Sequence, residues 1–174
     1  MKNLSSGQLA PQFQHLTLSG HYVTLDGFSG KKVLLSFFRG AACPFCNLRV
    51  RELILNYHVL QQQNIQILAV FHSSAEEIME YAGKQEAPFP ILPDPDLKLY
   101  KAYGVESSLL GKLRTMGSLS KVWKVMNSGF FNFRSMSDLN TLPADFIIGE
   151  DQRILWAHYG DNFGDHIALA DVIA

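Results

Sequence analysis

Two uninterrupted apolar runs constrain the fold of this chain more than any other feature. Residues 31–38 read KKVLLSFF and residues 64–71 read NIQILAVF, and such runs are typical of strands buried on both faces. Between them, from Pro44 onward, apolar residues recur at steps of four and three, which predicts an amphipathic helix. A strand, a helix and a second strand in this order predict a β-α-β unit.

The flanking segments predict further short elements. Residues 16–30 alternate apolar and polar positions and are cut by glycine, which predicts two short strands in a hairpin. Ser73 and Glu76 have capping-box spacing and predict a helix start. Asp94 and Asp96 are typical of a turn and a helix cap. The remaining segments predict a short strand at 89–95, a short helix at 96–105, a β-hairpin over 145–160 and a terminal helix at 164–174.

These elements predict an α/β protein with a mixed central sheet, helices on both faces and an N-terminal β extension. The 174 residues fit one domain, and 47% hydrophobic with 18% charged residues argues against disorder. A net charge of −1 offers no electrostatic basis for binding nucleic acid. The sequence has no run of about 20 apolar residues and no apolar region at its start, so we expect no membrane span and a cytoplasmic, reducing setting.

Residues 106–138 differ from the rest of the chain. Between Glu106 and Asp138 there are no acidic residues, but there are five basic residues and four large aromatic ones. The segment is too long for a bare loop in a compact domain, so we interpret it as a basic, aromatic-rich helical insert. A locally packed insert with a solvated charged side is favoured over a surface that binds membranes or partners.

Both cysteines of the chain stand in one CxxC motif, Cys43-Pro44-Phe45-Cys46. A structural zinc site needs four ligands, but there is no second CxxC pair, and His158 and His166 are spaced too far apart for the usual motif. Two inert buried thiols are the other alternative. A CxxC at the start of a helix beside a β-α-β pattern favours redox chemistry instead, with no metal and no organic cofactor.

The residues themselves favour Cys43 as the first nucleophile. A helix N-terminus stabilises a thiolate, and Arg39 precedes the pair on the same strand-to-helix turn. Cys46 falls on the apolar face of the predicted helix, whereas Cys43 lies at or before its first turn, where exposure is easier. Once one sulfur is oxidised, the other can attack it and form a 43–46 disulfide, which an external thiol must reduce.

Four stretches together resemble the redoxin superfamily, and more narrowly the CxxC-containing, peroxiredoxin-like branch of the AhpC/TSA family. They are APQF, VLLSFFRGAACPFCNLRVREL, FPILPDPDLKLYKAYGV and LPADFIIGEDQRILWAHYG, and the resemblance runs from about residue 10 to the end. It implies a thioredoxin-like fold and the reduction of hydroperoxides. It also implies a thioredoxin- or glutathione-type reductant and, as in many redoxins, a homodimer, although no residue here identifies an interface.

The resemblance and the residues disagree about which cysteine attacks first. Typical members carry a PxxxTxxC motif, which places the attacking residue at Cys46, the Thr position at Cys43 and the Pro position at Arg39. Where typical peroxiredoxins have an arginine before a late strand, this chain has Pro143, which resembles the cis-proline of thioredoxin-type reductases. Pro143 and Phe45 are therefore the candidate substrate-binding residues, beside the candidate catalytic residues Cys46, Cys43 and Arg39.

Two other functions remain open at this point. One is a protein disulfide reductase with little peroxidase activity. The other is a non-enzymatic redox sensor whose disulfide switches the basic insert. His158 and His166 have no partner that the sequence identifies, so we expect surface or half-buried histidines rather than proton donors.

Overall fold

A small hairpin and a five-stranded mixed sheet are the two sheets of the residues that the structure describes. The computed structural model describes residues 3–105 and 141–173. Strands β1 (Gln14–Leu16) and β2 (Tyr22–Thr24) pair antiparallel. The sheet contains β3 (Lys32–Phe38), β4 (Ile65–Phe71), β5 (Ile91–Pro93), β6 (Ala144–Ile148) and β7 (Ile154–Tyr159). Its spatial order is β5-β4-β3-β6-β7, so the two predicted apolar runs lie side by side at its centre.

Strand directions and helix positions agree with the predicted mixed sheet. β3, β4 and β5 are parallel, whereas β6 is antiparallel to β3 and β7 is antiparallel to β6. The helices are α1 (Pro44–Leu55), α2 (Tyr57–Gln62), α3 (Ala75–Glu80), α4 (Lys98–Ala102) and α5 (Leu169–Ile173). Residues of α1, α2, α3 and α5 share one apolar cluster, and residues of α4 share the other, so both faces are covered.

Strand β3 supplies side chains to both faces of the sheet. Leu34 and Phe38 belong to the cluster under α1, and Val33, Leu35 and Phe37 belong to the cluster under α4. All five are fully buried. Because each buried side chain of this kind contributes roughly 1.5–3 kcal/mol, the centre of the sheet is a rigid base. The turn that carries the two cysteines extends directly from the end of β3 and is therefore anchored to that base.

The helix predicted from Pro44 is shorter than the apolar pattern indicates. It ends at Leu55, and α2 begins at Tyr57 after a break at Asn56, whose φ and ψ are −103° and 7°. The Asn56 side chain donates a hydrogen bond of 2.8 Å to the carbonyl of Glu52. The Asn56 backbone N–H donates to the same carbonyl at 3.1 Å. Asparagine is among the weaker helix formers, and apolar spacing does not register that preference.

The capping box predicted at Ser73 is wrong by one residue. Ser74 is the N-cap of α3, and its Oγ accepts a hydrogen bond from the backbone N–H of Glu77. Ser73 is buried, and its Oγ accepts a hydrogen bond of 3.0 Å from the N–H of Ala41, in the turn after β3. A serine that the sequence assigns to a helix cap therefore holds the cysteine turn.

The late hairpin and the basic insert are two further predictions, and they have different outcomes. The late hairpin is confirmed by the antiparallel pairing of β6 and β7. The basic insert predicted for residues 106–138 lies outside the described residues. Within residues 3–105 and 141–173, none of the helices has the length and apolar character that crossing a membrane requires.

Asp94 is predicted to stabilise the start of α4. Its carboxylate accepts hydrogen bonds from the N–H groups of Lys98 (2.9 Å), Leu99 (2.8 Å) and Tyr100 (3.3 Å), and it is 2% exposed. Asp94→Ala should lower the free energy of unfolding by roughly 2 kcal/mol, because it leaves buried donors without an acceptor. The exposed Asp96 provides the matched control. Asp96→Ala should change stability by less than about 0.5 kcal/mol in the same urea titration, and equal losses in the two variants would contradict the assignment.

Candidate active site

The CxxC motif lies at the junction between β3 and α1. Cys43 is the N-cap of α1 in an extended conformation, and Pro44 occupies the first helical position, as predicted. Cys46 lies within the first turn of the helix. Both thiols are free, and Cys43 is 3% exposed while Cys46 is 0% exposed. The difference has the expected direction, but it is small, because both sulfurs are buried.

Polar side chains hold this buried turn in place. The Asn47 Nδ2 donates to the carbonyls of Ala41 (2.7 Å) and Cys43 (3.0 Å). The Gln85 Nε2 donates to the Asn47 Oδ1 at 3.1 Å, and Ser73 accepts from the other side of the turn. Asn47 is not among the residues that the sequence nominates. The sequence does hold one signal that could have identified Asn47. Its side-chain amide has two N–H donors, and it follows Cys46 directly, on the same turn of the helix.

Arg39 lies against the Cys43 sulfur, as its position before the motif predicts. The Arg39 Nη1 donates to the Cys43 Sγ at 3.3 Å, and the Nε donates to the carbonyl of Thr141 at 3.1 Å. Arg39 is 3% exposed. Arg49 is buried too, but its guanidinium bonds Glu52 and the carbonyl of Ile167 instead. Of these two buried arginines, Arg39 is the one that donates to a cysteine sulfur.

The electrostatics of the two sulfurs are opposite. The hydrogen bond from the Cys46 thiol and, against the cost of burial, the charge of Arg39 lower the pKa of Cys43 from 9.0 to about 6. Burial and the neighbouring Cys43 raise the pKa of Cys46 well above 9.0. These opposite shifts favour the thiolate at Cys43 and the thiol at Cys46.

Phe45 and Pro143, the candidate substrate-binding residues, lie in different surroundings. Phe45 is half-buried and packs so closely on Gly164 that a Cβ there would lie 3.2 Å from the phenyl Cδ1. Pro143 directly precedes β6, and its carbonyl accepts a hydrogen bond of 2.9 Å from the N–H of Gly160. The cis peptide bond that the resemblance implies at Pro143 is not found, since the described residues contain no cis peptide bonds.

The loop between β7 and α5 contributes a residue that the sequence does not nominate. The phenyl ring of Phe163 stacks on Arg39, with the guanidinium Cζ 3.4 Å from the ring centroid. Phe163 is more than 100 residues from Cys43 along the chain, so no local pattern links the two. The site brings together one thiolate, one thiol, a buried cation and an aromatic ring over that cation.

The expectation of surface or half-buried histidines holds for His158, whose side chain is 28% exposed, but not for the buried His166, and both have carboxylate partners. The His166 Nδ1 lies 3.0 Å from the Asp145 Oδ2, and the side chains are 4% and 0% exposed. The His158 Nε2 lies 3.0 Å from the Asp165 Oδ1. Asp145 lies opposite Ser36 in the pairing of β3 with β6, and its carboxylate also accepts from the N–H of Ile167. The buried contact between His166 and Asp145 therefore fixes the loop onto the sheet beneath α1.

The described residues around the cysteines do not form a group of metal ligands. Across residues 3–105 and 141–173, no three His, Cys, Asp or Glu side chains come together in a way that would hold a metal ion. The arrangement has what thiol redox chemistry needs: an activated sulfur, and a second sulfur three residues away.

This fold and this cysteine pair define a thiol redox protein of the thioredoxin-like class. The chain belongs to the AhpC/TSA family, which residues 6–157 match. It is 30% identical to "Peroxiredoxin Bcp" of Escherichia coli (strain K12) over 114 residues, which cover 64% of this chain and 73% of that protein.

Two solved structures show the same fold. Peroxidoxin BcpB from Mycobacterium tuberculosis superposes with a TM-score of 0.71 at 16% identity, over 98% of this chain and 94% of that one. The thioredoxin domain of a thiol-disulfide oxidoreductase from Bacteroides vulgatus superposes with a TM-score of 0.57 at 17% identity, over 99% of this chain and 100% of that one. The thioredoxin-like fold that the resemblance implies is therefore confirmed.

Arg39 should account for a measurable part of the low pKa of Cys43. Arg39→Gln should raise the midpoint of Cys43 alkylation by iodoacetamide by about one unit, because the charge that favours the thiolate is lost. Arg51, exposed on α1, provides the control, and Arg51→Gln should leave the midpoint unchanged. The pH dependence of the alkylation rate measures both variants. An unchanged midpoint in Arg39→Gln would remove Arg39 from the electrostatics of the site.

Asp145 should contribute stability that is lost in acid. Burial alone would raise the pKa of Asp145, but His166, Arg49 and Ser36 together lower it from 3.8 to about 2. A lowered folded-state pKa contributes stability that is present above about pH 4 and lost as the pH falls towards about 2. Asp145→Asn should therefore cost roughly 2 kcal/mol at neutral pH and flatten the acid side of the stability profile.

The exposed Asp171 is the control for that measurement. Urea titrations of Asp171→Asn between about pH 2 and 7 should match those of the unmodified protein closely. An acid side of the stability profile that is as steep in Asp145→Asn as in the unmodified protein would contradict the contribution assigned to Asp145.

Proposed function

We propose that this protein is a thiol-dependent peroxidase in which Cys43 attacks the hydroperoxide and Cys46 resolves the product. The observation that carries the proposal is the Arg39 Nη1 donating to the Cys43 sulfur at 3.3 Å, with the Cys46 thiol as the second partner. The thiolate is the form that attacks a peroxide, and it is the favoured form of Cys43 near neutral pH.

The proposed cycle has three steps. The Cys43 thiolate attacks the distal oxygen of ROOH, the O–O bond breaks, and the alkoxide leaves as ROH after taking a proton. Cys43 is then a sulfenic acid, and the Cys46 sulfur attacks it and expels water to form the 43–46 disulfide. Two electrons and two protons from an external dithiol or two thiols return both cysteines to the reduced state.

The reductant and the setting are inferred from the last step. A 43–46 disulfide needs a thioredoxin- or glutathione-type donor, and such donors are maintained in a reducing compartment such as the cytoplasm. The AhpC/TSA membership and the identity to a protein named as a peroxiredoxin support hydroperoxides as substrates. A homodimer stays a prediction from the resemblance.

The order of attack departs from the one that the resemblance implies. Typical relatives would place the attacking residue at Cys46, but Cys46 is fully buried and its pKa is raised. Cys43 has the lowered pKa and the neighbouring guanidinium. We therefore assign the nucleophile to Cys43, with Arg39 as the cationic partner and Phe45 as a contact for the substrate.

Reduction of protein disulfides is the second candidate function. The observation that favours it is the split between a low-pKa sulfur at the helix N-cap and a buried, high-pKa sulfur three residues later. Disulfide exchange uses the same two roles: one thiolate forms the mixed disulfide and the second sulfur releases it. Turnover with a protein disulfide but not with peroxide would select this function.

Stoichiometric hydrogen peroxide should distinguish the two cysteines. The reduced unmodified protein should lose two hydrogens quickly, as the intramolecular disulfide forms. Cys46→Ser should stall with one oxygen added at Cys43, because no resolving sulfur is left. Cys43→Ser should react no faster than a free thiol, because burial, the largest cause of the raised pKa of Cys46, persists in this variant.

Intact mass over time, with peptide mapping of the added oxygen, measures all three proteins. A Cys43→Ser variant that forms a sulfenic acid at the rate of the unmodified protein would reverse the assigned order. Loss of thiols no faster than in a free thiol, in the unmodified protein, would count against the peroxidase and leave the disulfide reductase.

A further inference from the structure

The guanidinium of Arg39 is contacted in three directions. Its Nε donates to the Thr141 carbonyl, its Nη1 donates to the Cys43 sulfur, and its Cζ lies over the ring of Phe163, 3.4 Å from the ring centroid. Arg39 is 3% exposed and Phe163 is 7% exposed. A desolvated cation over an aromatic face is held more strongly than one in water, because the negative face of the ring replaces part of the lost hydration.

The ring of Phe163 is itself held by the loop that carries it. The Asp165 carboxylate accepts a hydrogen bond of 2.8 Å from the N–H of Asp161 and pairs with the His158 Nε2 at 3.0 Å. Immediately afterwards, His166 pairs with the buried Asp145. These two pairs fix the loop on the C-terminal side of Phe163, so the ring has a defined place over the guanidinium.

We propose that Phe163 is a positioning residue of the thiol site, whose ring holds the Arg39 guanidinium against the Cys43 sulfur in the reduced protein. Arginine has many rotamers, and a contact with the sulfur alone would leave most of them open. The Thr141 carbonyl holds the Nε of the guanidinium, and the ring covers its Cζ. The inference rests on the proposed role of Cys43, but its test measures the thiol and not turnover.

Within the part of the chain that the structure describes, Phe163→Leu leaves the titratable and charged groups that face this sulfur unchanged. Cys46 faces it from α1, and Arg39 faces it from the end of β3. His72, which comes directly after β4, reaches the site through its Nδ1, 3.0 Å from the Thr141 Oγ1, and burial lowers the pKa of His72. A change in the Cys43 midpoint therefore reports how the guanidinium is placed, provided that these groups are retained.

The test compares Phe163→Leu with Phe163→Tyr. Leucine keeps apolar bulk without the aromatic face, and tyrosine keeps the face. The measurement is the rate of Cys43 carbamidomethylation against pH, by intact mass, on the full reduced chain with both cysteines. Phe163→Leu should raise the midpoint by about one unit, as expected when an opposite charge moves away, and Phe163→Tyr should leave it where it is.

Phe89 provides the matched control, because it is 5% exposed and packs on Tyr57 in another part of the apolar cluster. Phe89→Leu should leave the midpoint unchanged. Equal midpoints in Phe163→Leu and the unmodified protein would overturn the proposal. So would equal rises in Phe163→Leu and Phe89→Leu, since these would indicate general loosening of the core.

The double variant Arg39→Gln with Phe163→Leu tests whether the ring acts through the guanidinium. If it does, the double variant should have the midpoint of Arg39→Gln alone, and additive shifts would contradict the proposal. Should Phe163→Leu fail to fold by thermal unfolding, Phe163→Met replaces it in both comparisons. Because iodoacetamide reports the thiolate directly, failure to reduce peroxide would leave this result standing.

Discussion

The contact between a buried guanidinium and a buried sulfur is the interaction on which this site depends. Neither group is stable in a dry interior as a lone charge, because desolvation of an unpaired ion costs several kcal/mol. Arg39 and the Cys43 thiolate compensate each other at 3.3 Å. Arginine does not deprotonate in proteins, so only the Cys43 sulfur can gain or lose the proton that changes the net charge of the pair.

The surrounding structure holds Arg39 and Cys43 in position. β3 ends at Phe38, so the rigid centre of the sheet delivers Arg39 directly. Asn47 and Ser73 hold the turn that follows Arg39. The carbonyl of Thr141, 102 residues after Arg39 in the sequence, accepts a hydrogen bond from the Nε of the guanidinium. Catalytic constellations gain from this kind of second layer, because a sulfur that is fixed in place reacts without reorganisation.

The main architecture could be predicted from the sequence because it rests on local patterns. Apolar runs predict β3 and β4, a period near 3.6 predicts α1, and Pro44 indicates its start. The errors come from competition that a pattern does not express. The break between α1 and α2 falls at Asn56, a weak helix former within an apolar pattern that continues past it. Ser73 accepts from the N–H of Ala41 in the cysteine turn instead of capping α3. The site was predictable only where it is local, since Cys43, Cys46 and Arg39 lie close together along the chain. Phe163 joins them from a distant loop, and such contacts depend on strand order, which the order of elements predicts only in outline.

The disagreement between the resemblance and the geometry has one physical origin, the position of the cation. In the typical pattern the attacking sulfur is at the place of Cys46, and an arginine stands before the late strand. Here that strand is preceded by Pro143, and the arginine stands at position 39, on the turn that leads to Cys43. A thiolate forms where positive charge is, so moving the cation along the chain moves the favoured thiolate with it. In the proposed cycle the sulfur at position 46 has the resolving role, to which a buried thiol beside a reactive one is suited.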